Sequence, residues 1–309
     1  MKIALCFIIS YKHILNKEKI WRDWIEPNKD IINIYFHYKN LKLIKSNWIK
    51  AHCIPIQYIA QTTYYHVVPA YMSILSFAFS NDLQNKWFCL LTESCVPIIS
   101  PAVFRKIFLY YHQASIINIK PAYWNIDIHR RANLRLLHKD YHLANDPWFT
   151  LTRDHVHKSI IFMTKKMDIY KTICKGGLAN ESIFAIILRT FNEVNNPFTL
   201  IKTSSTISDW SRMENATSPY LFKNGDETIL EKDKQIIYDE LKKNKFALFL
   251  RKVSHTYPDY ILLHFIYNTE LNHTYINVHS NKYNKLLYCF IFLLGFYLFS
   301  YILLYSSSP

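Results

Sequence analysis

Glycine is nearly absent from this chain, four residues in 309. The adjacent pair Gly176 and Gly177 in "CKGGLANESIFAIIL", residues 174 to 188, therefore marks a local backbone requirement. Acidic residues are also scarce: 23 Asp and Glu against 37 Lys and Arg leave a formal charge of +14. That balance points to anionic partners, whether a nucleic acid, a phosphorylated small molecule or an anionic membrane face. No stacked aromatic-basic motif of the known RNA-binding kinds accompanies it, so nucleic acid drops out as a partner. The six cysteines (Cys6, Cys53, Cys89, Cys95, Cys174, Cys289) show no CxxC or CxxH spacing. They suggest neither a zinc site nor a disulfide framework, and read as reduced and mostly buried. There is no internal repeat and no long run of one charge. The opening "MKIALCFIIS" has a short apolar run with no small-residue cleavage site behind it, and reads as a buried strand. Sequons at Asn180, Asn215 and Asn272 are of the number an Asn-rich chain produces by chance.

What is present is a large apolar share, half of the chain, enough for a sizeable core at this length. The longest apolar run closes the chain: "LLYCFIFLLGFYLFSYILLY", Leu286 to Tyr305, has twenty residues without a charge. As a helix it would extend about 30 Å, enough to cross a bilayer. Lys282 and Lys285 precede it and nothing charged follows, so the positive-inside rule keeps the N-terminal part on the cytoplasmic side. The expected organisation is a folded domain over residues 1–267, a polar linker over 268–285 and a transmembrane helix over 286–305.

Within the folded part, "KIALCFIIS" and "IINIYFHYK" read as strands flanking a helical "KHILNKEKIWRDWIE", a βαβ opening. "YMSILSFAFSN" and "PAVFRKIFLYYHQ" read as helices around the strand "KWFCLLTESCVPI". A strand "PWFTLTRDH", helices "VHKSIIFMTKK" and "DIYKTICK", and strands in "FTLIKTSSTISDWS" and "KFALFLRKV" follow. Residues 120 to 146 are polar, irregular and rich in His and Arg, as a surface loop is. Alternation of this kind predicts an α/β fold with a mostly parallel sheet, whose ligands gather at the carboxyl ends of the strands.

Five segments carry a resemblance, in order. "CLLTESCVPI" is similar to the "LLSESCIPL" of the Core-2/I-branching β-1,6-N-acetylglucosaminyltransferase family in its plant-type form. "DPWFTLTRDHV" resembles its "QWFEMDRKLA", "ANESIFAIIL" its "VDEHYFPTML", "ISDWS" its "WVDWS", and "KFALFLRKV" its "CFLFARKF". Together they span roughly residues 3 to 257. The resemblance implies a GT-A-like fold, a mixed, mostly parallel sheet flanked by helices. It also implies inverting transfer of a sugar, N-acetylglucosamine, from a UDP-sugar such as UDP-GlcNAc to a glycan or glycoprotein acceptor, with no metal and no other cofactor. The chain indeed has no D-x-D pair, the usual carboxylate clasp for a divalent ion on a nucleotide diphosphate.

By the same resemblance Glu181 matches the catalytic base, which must take the proton of the attacking hydroxyl. Its position after Asn180, a candidate N-cap, predicts a place in the first turn of a helix, where the macrodipole favours a carboxylate. Gly176 and Gly177 would let the backbone approach the sugar. Arg251 and Lys252 match the family's basic pair, which would meet the charge of the leaving diphosphate. Trp210 and Asp209 match an acceptor-site motif, and Arg131, with Arg130, corresponds loosely to basic acceptor contacts. Glu93, Ser94 and Cys95 are expected to shape a loop at a strand end. Two departures stand out: "QTTYYH" replaces the plant-type "WG", and Lys39 stands where vertebrate members place an aspartate for uracil. A transferase-like fold without activity, serving as a glycan-binding or scaffold protein at a membrane, is the alternative reading.

Overall fold

The computed structural model describes residues 1–63, 65–213 and 218–268. In chain order its strands are β1 (Lys2–Ile8), β2 (Ile32–His37), β3 (Asn85–Thr92), β4 (Val96–Pro97), β5 (Ser115–Ile116), β6 (Ile119–Pro121), β7 (Leu143–Asn145), β8 (Thr150–Thr152), β9 (Leu200–Ile201), β10 (Thr206–Ser208) and β11 (Phe249–Arg251). The main sheet has the order β2-β1-β3-β8-β5-β9, with β10-β11-β4 as a smaller sheet and β6-β7 as a separate pair.

The central strands explain the core. In a strand, successive side chains face opposite sides. Ile3, Leu5 and Phe7 of β1, with Trp87, Cys89 and Leu91 of β3, join one buried cluster. Ala4 and Cys6, with Phe88 and Leu90, join the other. Near-continuous apolar strands are what a sheet covered on both faces requires. One face carries helices Glu18–Ile25, Pro101–Tyr111, Glu227–Lys243 and Asp259–Tyr267; the other carries Val68–Asn81, Arg153–Lys165 and Ile183–Thr190. The expected α/β architecture with a mostly parallel sheet is therefore present. β1, β2 and β3 run parallel, as do β5 and β9, and β8 alone runs against its neighbours β3 and β5.

The path of the chain locates a crevice. From β1 to β2 it passes through helix Glu18–Ile25 on one face; from β2 to β3 it passes through Val68–Asn81 on the other. The order 2-1-3 thus reverses between β1 and β3, and ligands bind beyond the carboxyl ends of strands at such a point. Just past β3 lies the loop Glu93–Ser94–Cys95, and β4 beyond it pairs with β11, Val96 opposite Leu250. β11 therefore delivers Arg251 to the crevice.

Several elements differ from the sequence expectation, each for a local reason. The first helix begins only at Glu18. Residues before it strap down the C-terminal part of the domain instead: Asn16 Nδ2 donates to the Val253 carbonyl at 2.6 Å, and Lys17 Nζ donates to the carbonyls of His255 and Tyr257 and to Asp259. The strand expected over residues 147–155 shrinks to β8, because Thr152 Oγ1 accepts from the His155 N–H and starts a helix at Arg153. Helix Glu227–Lys243 matches no motif, yet it buries Leu230, Ile237 and Leu241. Among the described residues no helix is long and apolar enough to cross a membrane. The expected span at 286–305 and linker residues 269–285 lie outside the described residues.

The glycine pair has a clear division of labour. A Cβ on Gly176 would lie 2.4 Å from the backbone nitrogen of Asn133 and 2.6 Å from the carbonyl carbon of Ala132. Two stretches of main chain touch here, held by a bridge between Arg131 and Gly177 and by the Ala132 N–H donating to the Gly177 carbonyl at 2.9 Å. The missing Cβ of Gly176 thus admits a neighbouring backbone, and neither glycine has positive φ. The left-handed turn falls on Leu178, φ 54°, facing Ala132 and Asn133 at φ 51° and 49°. Gly176→Ala is expected to destabilise the domain by roughly 2 kcal/mol or more, since backbone cannot yield as a side chain can. Gly177→Ala, whose Cβ would meet only Tyr65 Cβ at 3.9 Å, should stay within about 0.5 kcal/mol. Urea midpoints of the two variants check the contrast.

Candidate active site

Glu181 closes a short 3-10 turn, Ala179–Glu181, one residue before the N-cap Ser182 of helix Ile183–Thr190. It is therefore not in the first turn of that helix, and Asn180 is not its cap. Asn180 is buried, which removes its sequon from the surface. The turn is set by Leu178, whose N–H donates to the Tyr65 carbonyl and whose carbonyl accepts from the Glu181 N–H.

The contact between residues 131–133 and 176–178 places Arg131 beside Glu181, Nη1 to Oε2 at 3.4 Å. Both side chains are mostly buried, 24% and 21% exposed. Burial pushes the Glu181 carboxyl above its ordinary range. Arg131 pulls it down, the neighbouring Asp146 pushes it up, and Lys120 and Arg251 pull it down more weakly. The balance leaves a carboxyl with raised proton affinity among three cations.

Aromatic rings frame these charges. Arg131 lies over the Trp124 ring at 5.2 Å, Tyr123 meets Trp124 edge-on at 5.0 Å, and Lys120 sits over Tyr123 at 4.8 Å. Arg251 stacks on the Trp148 ring at 4.8 Å. The buried indole N–H groups of Trp124 and Trp148 find no acceptor among the described residues, and buried donors are seldom left so. Planar rings beside charged donors suit the apolar faces and hydroxyls of a sugar.

The remaining candidates arrive from the small sheet. β10 and β11 are parallel with Ser208 opposite Arg251, so Asp209 and Trp210 leave one strand beside Arg251 and Lys252 leaving the other. Trp210 is half exposed, 49%. Asp209 is buried: Oδ1 accepts from the Ser211 N–H and Oγ, and Oδ2 accepts from Arg212 Nε at 2.6 Å. Burial alone would raise its carboxyl, but the Ser211 and Arg212 donors outweigh that and hold it below the ordinary range. Arg212 also donates to the fully buried Asp233 at 2.7 Å, binding helix Glu227–Lys243 to this loop. Asp209 thus holds the loop that presents Trp210. Lys252 Nζ donates to Ser218 Oγ at 2.7 Å.

Glu181, Arg131 and Arg251 are brought to one place, with Lys252, Asp209 and Trp210 alongside on the adjoining strand ends. Lys39 donates to the carbonyl and hydroxyl of Thr62. Nearby, burial, with Lys39 adding to it, pushes His37 down to about 4; its neutral Nε2 accepts from the Ala60 N–H. Sequence reasoning missed Lys120, Tyr123, Trp124, Asp146 and Trp148. Lys120, Tyr123 and Trp124 lie in an irregular segment that the aromatic–basic clustering in "KPAYW" could have flagged, while Asp146 and Trp148 open "DPWFTLTRDHV", one of the five family-like segments.

Two arrangements resemble metal sites. Asp154, His155 and Glu193 bring ligand atoms within 4.8 Å of one another, and Lys158 donates to both carboxylates there. His138 and His142 stand at HxxxH spacing around a 3-10 turn, where His142 Nε2 meets the Leu137 carbonyl.

No curated protein matches the chain. The sequence model of the Core-2/I-branching enzyme family matches residues 5–232, most of the chain and a stretch that takes in Glu181 and Trp210. With a mixed sheet, a crevice at its switch point and an acid among cations and indoles, this chain belongs to the Core-2/I-branching enzyme family, a family of glycosyltransferases.

Proposed function

We propose that the chain is a metal-independent, inverting glycosyltransferase of GT-A type that moves a sugar, N-acetylglucosamine, from a UDP-sugar to a hydroxyl of a glycan or glycoprotein. Residues 286–305 would attach it to a membrane with the catalytic domain on the cytoplasmic side. The observation that carries the catalytic reading is Glu181: a mostly buried carboxyl of raised proton affinity, paired with Arg131 and within the electrostatic reach of Arg251.

The chemistry follows from these groups. An acceptor hydroxyl beside Glu181 passes its proton to the carboxylate as its oxygen bonds to the anomeric carbon. The bond from that carbon to the diphosphate breaks on the opposite face, and UDP leaves with the electron pair. Raised proton affinity makes Glu181 a stronger base than an exposed glutamate, while Arg131 favours its ionised form. Arg251 and Lys252 offset the charge growing on the diphosphate, the part a divalent ion plays elsewhere. Trp210 offers a ring face to the acceptor, on the loop that Asp209 holds, and Arg131 has N–H donors left for acceptor hydroxyls.

Donor hydrolysis or transfer should persist in a chelator and fall about 10²- to 10⁴-fold in Glu181→Gln, the usual worth of a positioned base. Unchanged turnover in that variant would remove Glu181 from the mechanism. The acidic limb of kcat/KM should lie above the ordinary glutamate range, and Arg131→Met should move it further up, because the strongest charge opposing protonation is gone. Stability supplies an independent check. A carboxyl whose folded pKa is raised supports the fold fully below its unfolded pKa and loses that support as pH rises through the folded one. Glu181→Gln should therefore melt at or above the parent temperature at pH 7, with the difference vanishing at pH 4.

A further inference from the structure

We propose that Asn145 is the positioning residue of the catalytic base: one buried amide ties together the turn that carries Glu181, the loop that carries Asp146 and Trp148, and the start of the helix that follows. This inference rests on the reading of Glu181 as the base.

Asn145 ends β7 and is 3% exposed. Its Nδ2 donates to the Asn180 carbonyl at 2.9 Å and to the Asp146 carbonyl at 3.0 Å, and its Oδ1 accepts from the Ala185 N–H at 3.1 Å. Two carbonyls on one side and an N–H on the other fix which end is oxygen. The Ala185 bond does the work of a helix cap, which Ser182 does not: the Ser182 side chain makes no cap bond, and its buried Oγ has no partner among the described residues. The cap comes instead from a residue 40 positions away in sequence.

The consequence for the site is geometric. The Asn180 carbonyl belongs to the peptide unit that joins Asn180 to Glu181, so its bond sets where the Glu181 backbone begins. The Asp146 carbonyl is the other tethered end. Asp146 is held in turn by Asn118 Nδ2, at 3.3 and 3.4 Å to its two oxygens, and by Ser204 Oγ. Two residues on, Trp148 backs Arg251. A single side chain thus ties the turn of the base to the loop that carries a second carboxylate. Asparagine alone among the small side chains supplies two donors and an acceptor in this shape.

Two variants separate positioning from capping. Asn145→Asp keeps an acceptor for Ala185, and a carboxylate is favoured at a helix N-terminus, but it removes both donors; Asn145→Ala removes everything. With UDP-sugar as donor, kcat should fall at least about 10-fold in both, as misplacement of a catalytic group does, while the donor KM changes little. Thermal stability should recover in Asn145→Asp relative to Asn145→Ala, whereas kcat should not. In a Glu181→Gln background Asn145→Asp should cost less than about 2-fold, since a residue acting through Glu181 has nothing left to position. Wild-type kcat in Asn145→Asp, or an undiminished effect in the Glu181→Gln background, overturns the proposal. A substrate-free readout covers a preparation that transfers no sugar: the carboxyl ¹³C titration of Glu181, assigned by its loss in Glu181→Gln. Arg131, Asp146, Lys120 and Arg251 all act on this carboxyl. Its midpoint should be raised in the parent and move toward the ordinary range in Asn145→Ala, as the turn relaxes into water and away from Asp146. A shifted midpoint without transfer leaves the positioning intact and refutes the transferase reading; an unshifted midpoint refutes the positioning.

Discussion

A carboxylate taken out of water has to be answered by the groups around it, and the architecture of this domain can be followed outward from that demand at Glu181. Burial favours the neutral acid, and Arg131 is the first charge that opposes it. Arg131 reaches Glu181 only because two backbones lie in contact at Gly176, where any side chain would collide with Ala132 and Asn133. That contact brings left-handed residues on both sides, Leu178 facing Ala132 and Asn133. Backbone in this conformation costs free energy for residues other than glycine and gathers at functional sites when the surroundings hold it. The surroundings do so here, through the Tyr65 carbonyl and the bond from Asn133 Nδ2 to the Thr172 carbonyl at 2.9 Å.

A second organising element is the small sheet. Its three strands are short, yet their register decides which residues meet. Ser208 opposite Arg251 and Val96 opposite Leu250 gather three distant segments around the same strand end. The pair formed by Arg212 with Asp209 and Asp233 is the electrostatic counterpart of that gathering, two buried carboxylates sharing one guanidinium. Removing one partner from such a set strands the others without compensation, so this loop is rigid where Trp210 emerges from it.

What the sequence made legible was the periodic part. β1, β2, β3 and the helices Val68–Asn81 and Pro101–Tyr111 stand close to where alternation and helical spacing put them, since apolar period is a direct consequence of a sheet covered on two faces. The site was legible in its ends, Glu181 and the Arg251–Lys252 pair, because those lie in segments with recognisable neighbours. It was illegible in its middle. Residues 120 to 148 form short strands, turns and loops whose order comes from distant partners, such as Asn145 capping a helix 40 residues on. The glycine pair stands out by its rarity, but what the missing Cβ of Gly176 makes room for, the backbone of Ala132 and Asn133, lies a little over forty residues earlier.

The strap at Asn16 and Lys17 has a consequence for how the chain is made. These residues find their acceptors at Val253, His255, Tyr257 and Asp259, nearly 240 positions downstream. Until that distant stretch has been synthesised, the Lys17 ammonium, buried in the finished domain, has no carbonyls to receive it. Closing so long a loop is entropically slow and leaves partly assembled sheet exposed meanwhile. Synthesis from the amino end therefore leaves this strap open until residues 253–259 have emerged.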